Sequence, residues 1–195
     1  MAACVGWWQK RWQAAISARK EEAMNSYTFV LNFTLPDGQD NPEHYLDALY
    51  ECGCDDAAVG VGQRGMIGLD FTRAAASAEA AIGSAVENVR AAIPGTTLVQ
   101  AGPDLVGLTQ MAEIFGFSRQ NMRKYATGQS GAPEAFPLPV VLGDPNLWHL
   151  AEIVAWLRLN TSVRPPDDVL DVSKVAAKMN FEVERERLNK ILELS

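Results

Sequence analysis

Between Ser118 and Tyr125 the chain sets Arg119, Gln120, Asn121, Arg123 and Lys124 close together. These side chains suit nucleic acid. The Arg fork reaches both acceptors on a guanine edge, Gln or Asn pairs with adenine, and Lys neutralises a phosphate. In a helix starting at Ser118, at about 100° per residue, Arg119, Gln120, Arg123 and Lys124 fan over one arc, while Met122, Tyr125 and Ala126 fall on the other. A solvated surface helix would account for the cations alone. It would not account for what precedes them: Thr109 reads as a helix cap, Leu108, Met111, Ala112 and Phe115 form one apolar stripe, Gly116 ends that helix, and Ser118 caps the next. The order of cap, Gly, cap and cations predicts a helix-turn-helix. Arg119, Gln120 and Arg123 are the expected base-edge contacts with Asn121 at the rim, and Ser118, Lys124, Tyr125 and Thr109 the phosphate or positioning contacts.

The elements around this pair must hold it. After Gly128, the stretch from Phe136 to Trp148 carries Pro137, Pro139, Gly143 and Pro145, which predicts a short β-hairpin turning near Gly143 to Asn146. A third helix follows, with Leu150, Ile153, Val154 and Leu157 at helical spacing. Two helices, a hairpin and a helix make a winged helix-turn-helix. Trp148 and Trp156 read as core residues rather than base-stacking platforms.

Residues 104–160 resemble the MerR-like and AlpA/excisionase-like winged DNA-binding domains, in Ser118-Arg119, Arg123, Tyr125, Phe136 to Pro139, Trp148 and Ala155-Trp156-Leu157. The resemblance spans under a third of the chain. It implies that the helix from Ser118 enters the major groove and that the hairpin lies along the backbone. Wings of that family carry Arg or Lys, whereas this one offers Asp144, Asn146 and His149.

The formal net charge of −7 sits oddly with a polyanion ligand until it is mapped along the chain. Residues 24–103 hold three Lys or Arg against ten Asp or Glu, whereas residues 104–160 hold four against five, and three of those four cations lie in the Ser118 helix. A local cationic stripe on a near-neutral domain implies a small salt slope, with specificity resting on base contacts and on a dimer. No apolar run is long enough to span a membrane, and no secretory signal pattern opens the chain. Three cysteines, Cys4, Cys52 and Cys54, make no even disulfide framework and fit a reducing cytoplasm.

Residues 27–101 alternate cleanly. Tyr27 to Leu35 reads as a strand, and Pro42 to Glu51 as a helix with Tyr45, Leu46, Leu49 and Tyr50 on one side, closed by Gly53. Ala57 to Val61 and Met66 to Phe71 read as two strands around Gly62-Gln63-Arg64-Gly65. Ser77 caps an Ala-rich helix through Ala92, Pro94-Gly95 stops it, and Thr97 to Gln100 begins a last strand. The order βαββαβ is the ferredoxin-like split arrangement, an antiparallel sheet with both helices on one face. That fold names no activity. Its acidity suits a basic protein partner.

No Ser-His-Asp set, HExxH or phosphate-cradling glycine motif occurs, so no enzyme is expected. His44, Cys52, Cys54 and Asp55 sit close together, but Cys-x-Cys lacks the spacing of structural zinc sites, so neither metal nor cofactor is expected. In residues 1–25, Val5, Trp8, Trp12 and Ile16 make a stripe flanked by Lys10, Arg11, Arg19 and Lys20. Such a basic amphipathic helix packs on the folded domains or a second subunit, lies on an anionic membrane surface, or is an extension upstream of a native start at Met24. Residues 161–195 break at Pro165-Pro166 and then run helically from Asp167, with Val172, Val175, Met179 and Val183 in near-heptad spacing. So narrow a stripe needs a partner, which predicts a dimerising or docking helix.

The expectation is therefore an α+β protein: an N-terminal segment (1–25), a ferredoxin-like domain (26–103), a winged helix-turn-helix (104–160) and a C-terminal helical segment (161–195). Its expected role is that of a cytoplasmic transcriptional regulator that binds double-stranded DNA as a homodimer. The competing expectation is a protein-interaction module whose acidic domain receives a protein partner.

Overall fold

In the computed structural model, which describes residues 24–36, 41–60 and 64–194, period-two alternation builds the first strand. In β1 (Asn25–Thr34) Tyr27, Phe29, Leu31 and Phe33 are buried, while Thr28 is exposed and Val30, Asn32 and Thr34 are partly covered. β3 (Met66–Ala75) lies antiparallel beside it and buries Ile67, Leu69, Phe71, Arg73 and Ala75. Phe29 faces Phe71 directly across the ladder, their rings stacked with centroids 5.2 Å apart. β2 (Ala57–Gly60) pairs with the outer side of β3, and β4 (Thr97–Gly102) pairs with β1, again antiparallel, through an irregularity at Asn32/Phe33. The sheet order is β2-β3-β1-β4.

Two helices connect these strands. A 3-10 turn at Pro42–Tyr45, capped by Asn41, leads into α1 (Leu46–Glu51), and α2 (Ala78–Ala92) follows β3. Ser77 caps α2 as expected, accepting from the Ala80 amide at 3.1 Å. Ala78, Ala81, Ala85 and Ala92 lie on its buried face beside Ile82, Val86 and Val89, and their small size brings the helix close to the sheet. Two expectations for this region need correction. Of the four apolar residues assigned to the first helix, only Leu49 is buried, and Leu46 and Tyr50 are exposed, because six residues of α-helix cover too little of the sheet to bury a whole face. β3 runs on to Ala75, since its alternation continues through Arg73. Gly62 and Gln63 of the expected turn lie outside the described residues, as does nearly all of the basic N-terminal segment.

A second core follows. β5 (Leu105–Val106) leads into α3 (Leu108–Phe115) and α4 (Arg119–Ala126), and β6 (Trp148–His149) into α5 (Leu150–Asn160). Val106, Met111, Ala112, Met122, Phe136, Trp148, Leu150, Ile153, Val154, Trp156 and Leu157 form its buried cluster. β6 pairs with β5, a strand that precedes the helix pair.

α6 (Asp167–Leu192) ties the two cores together. Val172 and Ala176 are buried in the sheet core, with Val175, Met179 and Val183 packed on it, while Val169 and Leu170 pack on the second core. The near-heptad stripe therefore docks within the chain, and the dimerising alternative does not describe those residues. Arg158 of α5 braces the start of α6 through Asp167 at 2.8 Å and the carbonyl of Pro165, also at 2.8 Å. From Glu184 to Leu194 every residue is exposed, including Leu188, Ile191 and Leu192. The molecule is thus mixed α+β, with one four-stranded antiparallel sheet and six α-helices among the described residues, none of them long and apolar enough to cross a membrane.

The two halves of α6 separate by truncation. A chain ending at Pro166 is expected to lose its cooperative thermal transition and near-ultraviolet circular dichroism, because the sheet core loses its cover. A chain ending at Arg187 should keep both, with a midpoint within a few degrees of the full chain.

Candidate nucleic-acid interface

α3 ends where the sequence demands. Gly116 sits in the left-handed region at φ 67° without strain, and the amide of Phe117 reaches back to the Ala112 carbonyl at 2.7 Å. Ser118 then caps α4, its hydroxyl accepting from the Asn121 amide at 3.1 Å. Thr109 is not a cap. Gly107 holds that position, and Thr109 lies exposed in the first turn of α3, because Leu108 already has helical geometry.

On α4, Met122 is fully buried, and Tyr125 and Ala126 pack against the same core. The Tyr125 ring meets Trp156 edge-on at 5.6 Å, and Phe136 meets both Trp156, at 5.0 Å, and Trp148, at 6.1 Å. Trp148 donates its indole N–H to the Pro137 carbonyl at 2.9 Å, which ties the loop to the core. Both tryptophans are therefore core residues. Arg119, Gln120, Arg123 and Lys124 are exposed, Ser118 is exposed beside them, and Asn121 is partly covered. None of the three cations makes an ion pair with a described residue. Burial of Met122 thus orients one arc of the helix inward and leaves the cationic arc to solvent.

The expected hairpin is reduced to one bridge. Val141 pairs with Leu147, the Asn146 carboxamide accepts from the Gly143 amide at 2.9 Å, and no regular ladder extends toward Phe136. Pro137 and Pro139 lack the donors a second strand would need. The loop presents Leu138 and Leu142, each more than four-fifths exposed, with Asp144 as its one charged side chain. His149 is tied into the fold through one ring nitrogen. Its Nδ1 lies 2.7 Å from Asp104 Oδ1, and the other carboxylate oxygen, Oδ2, accepts from Asn180 Nδ2 of α6 at 2.8 Å. The same Asn180 amide accepts from the Ala101 N–H at 2.7 Å and donates to the Ala101 carbonyl at 2.8 Å, covering the free edge of β4 as another strand would. Asp104 also accepts the Leu150 amide through its backbone carbonyl at 2.7 Å. These bonds set the helix pair relative to the sheet. The linear sequence offers no signal for them, since the five residues are scattered over 80 positions.

The cysteines near α1 belong to a different network. Arg73 grips Asp56 through two bonds of 2.7 and 2.8 Å and donates to the Gly53 carbonyl at 2.7 Å and to Ser84 Oγ at 3.2 Å. The hydrogen bond to Asp56 holds Arg73 above its ordinary value, against the effect of burial. Burial pushes the neighbouring Cys54 thiol up, with Arg73 opposing. Cys54 therefore keeps its proton at neutral pH.

No family model, curated protein or solved structure matches the chain.

Three measurements check this geometry. In urea unfolding, Asp104→Ala should cost about 1.5–3 kcal/mol because it removes the buried carboxylate that His149 and the half-buried Asn180 share, whereas Ser118→Ala should cost about 1 kcal/mol. In alkylation near pH 8, Cys52 should react ahead of Cys54. Because the folded Cys54 value is raised, the unfolded thiol ionises first, so this group withdraws stability only as pH climbs through the ordinary thiol range; the alkaline fall in stability should shrink in Cys54→Ala.

Proposed function

We propose that the protein is a cytoplasmic, sequence-specific DNA-binding transcriptional regulator in which α4 is the recognition helix. The observation that carries this reading is the exposed arc of Arg119, Gln120, Arg123 and Lys124, free of ion pairs with the described residues and backed by a helix whose other side is locked by Met122. Unpaired cations on a rigid helix lose no partner when they meet phosphates and base edges. The short Gly116-Phe117-Ser118 turn, the β5–β6 pair and α5 support a winged helix-turn-helix, with the loop from Phe136 to Leu147 as a reduced wing. Such a wing, bearing Asp144 and no cation, adds no phosphate contact, so affinity rests on α4.

The strand order β2-β3-β1-β4, all antiparallel, with helices between β1 and β2 and between β3 and β4, supports a ferredoxin-like frame for residues 26–103. A homodimer on a roughly palindromic operator completes the reading. The exposed apolar edge of Leu188, Ile191 and Leu192 on distal α6 is its pairing surface. The exposed Leu138 and Leu142 favour a second reading, a protein-interaction module in which this loop and the acidic sheet domain engage a protein partner.

Selection from a randomised double-stranded DNA pool decides between them. Enrichment of two half-sites, lost in the Arg119→Ala/Arg123→Ala variant, supports the regulator, and no enrichment overturns it. On the selected site, Arg123→Ala should cost about 1–3 kcal/mol and relax specificity, whereas Lys124→Ala should weaken all sequences alike and reduce the salt slope by about one.

A further inference from the structure

Between α2 and α6, over Leu98 of β4, lies a groove of about 420 Å³. Its wall on α6 is the row Val175, Met179 and Val183, apolar residues that pack on the sheet core yet stay only partly covered. The facing wall on α2 is opened by Gly83. A side chain begun at Gly83 would meet no atom within 4 Å, so none of the described residues fills that space. Glycine in a helix interior is a cost, and one use that offsets it is the close approach of another element.

The start of β1 shows which element is at hand. Asn25 lines a second cleft with Ser77, Asp171 and Lys174, and this cleft shares Glu79 and Val175 with the groove. Residues 1–23, which lie outside the described residues, therefore join the fold at the mouth of the groove. Their sequence suits it. Trp7, Trp8 and Trp12 are three of the five tryptophans of the chain, and the other two are committed to the second core. Trp8, Trp12 and Ile16 repeat the i, i+4, i+8 spacing of Val175, Met179 and Val183. As helical rows both are about 12 Å long, and rows of this kind interdigitate when two helices pack. Ser17 to Ala23 supply a connection of up to about 23 Å, enough to carry the row from β1 back along the groove.

Charge agrees in sign. The two clefts carry Glu79, Asp171, Glu182 and Glu186 against Arg90, Lys174 and Lys178. Lys178 is already held by Glu79 at 3.5 Å, and Glu186 has no ion pair with a described residue. The segment brings Lys10, Arg11, Arg19 and Lys20 against Glu21 and Glu22.

We infer that the groove between α2 and α6 receives residues 1–23 of the same chain, with Trp8 and Trp12 set against Met179 and Gly83. Tethering selects this occupant over a second copy, because a short connection presents the segment at an effective concentration of about millimolar. The inference does not rest on the DNA-binding reading, and its test uses no DNA.

The experiment is photocrosslinking of the full chain with Trp12 replaced by benzoylphenylalanine, the linked peptides being read by mass spectrometry. Links from position 12 to the groove walls, Met179 foremost, are expected within one chain, and a mixture of isotopically light and heavy chains separates these from links between chains. Gly83→Arg has room on α2 and raises its helix propensity, so it should keep the thermal midpoint, fill the groove and cut the link about fivefold or more. In methyl NMR of the chain without the crosslinker, Trp8→Ala/Trp12→Ala should move the Met179 signal through loss of ring current. The signals of Met111 and Met122, buried in the second core, should stay in place and show that the fold is kept. Links only between chains would give the groove to a second copy and overturn the inference. So would links confined to another surface, no link at all, or a Met179 signal indifferent to the loss of both tryptophans.

Discussion

The buried carboxylate of Asp104 is the constraint on which the arrangement of the molecule depends. It lies where the chain leaves β4 for β5, and its two oxygens reach different elements, His149 at the end of β6 and Asn180 in the middle of α6. A carboxylate taken out of water costs several kcal/mol unless its lone pairs are filled, so each bond it accepts is strongly favoured once the others form. That coupling holds three segments at fixed distances, including an α6 that spans both hydrophobic cores. Asn180 serves twice, since the amide that donates to Asp104 also covers the open edge of β4. One cluster therefore orients the helix pair and protects the sheet.

Orientation of α4 follows from apolar packing more than from its charges. Met122 has no exposed surface, and the Tyr125 ring rests edge-on against Trp156, which in turn packs on Phe136. These contacts leave the helix little freedom to roll about its axis, and the unpaired cations face away from the core because nothing inside would compensate them. The acidic half of the chain solves the opposite problem. Its one inward-facing cation, Arg73, is consumed by Asp56, Gly53 and Ser84 and lies 5.0 Å from the centre of the Phe71 ring, so it contributes to the frame and presents no cationic surface. The same chemistry, Arg in a structure rich in carboxylates, gives an exposed cation without an ion pair to a described residue in one half and a core brace in the other.

Much of the molecule was legible in its sequence because the deciding physics was local. Alternation in Tyr27 to Phe33, the Ser77 and Ser118 caps, the left-handed Gly116 and the 3.6-residue spacing of Leu150, Ile153, Val154 and Leu157 each depend on residues within a turn or two of one another, and each element forms where those signals place it. The separation of cations from apolar residues on α4 is equally local, since helix geometry alone assigns the two arcs. What tertiary structure decided involves partners distant in the chain. The stripe from Val172 to Val183 demanded a partner without naming it, and only the assembled sheet shows that the partner lies in the same chain. His149 was a surface residue beside a turn until Asp104, 45 positions away, took its ring. The hairpin is reduced to a single bridge, and β6 pairs instead with β5, a strand too short for any periodicity to announce. Such pairings are chosen by which buried polar groups find one another in the folded chain, and a linear pattern carries no record of that choice.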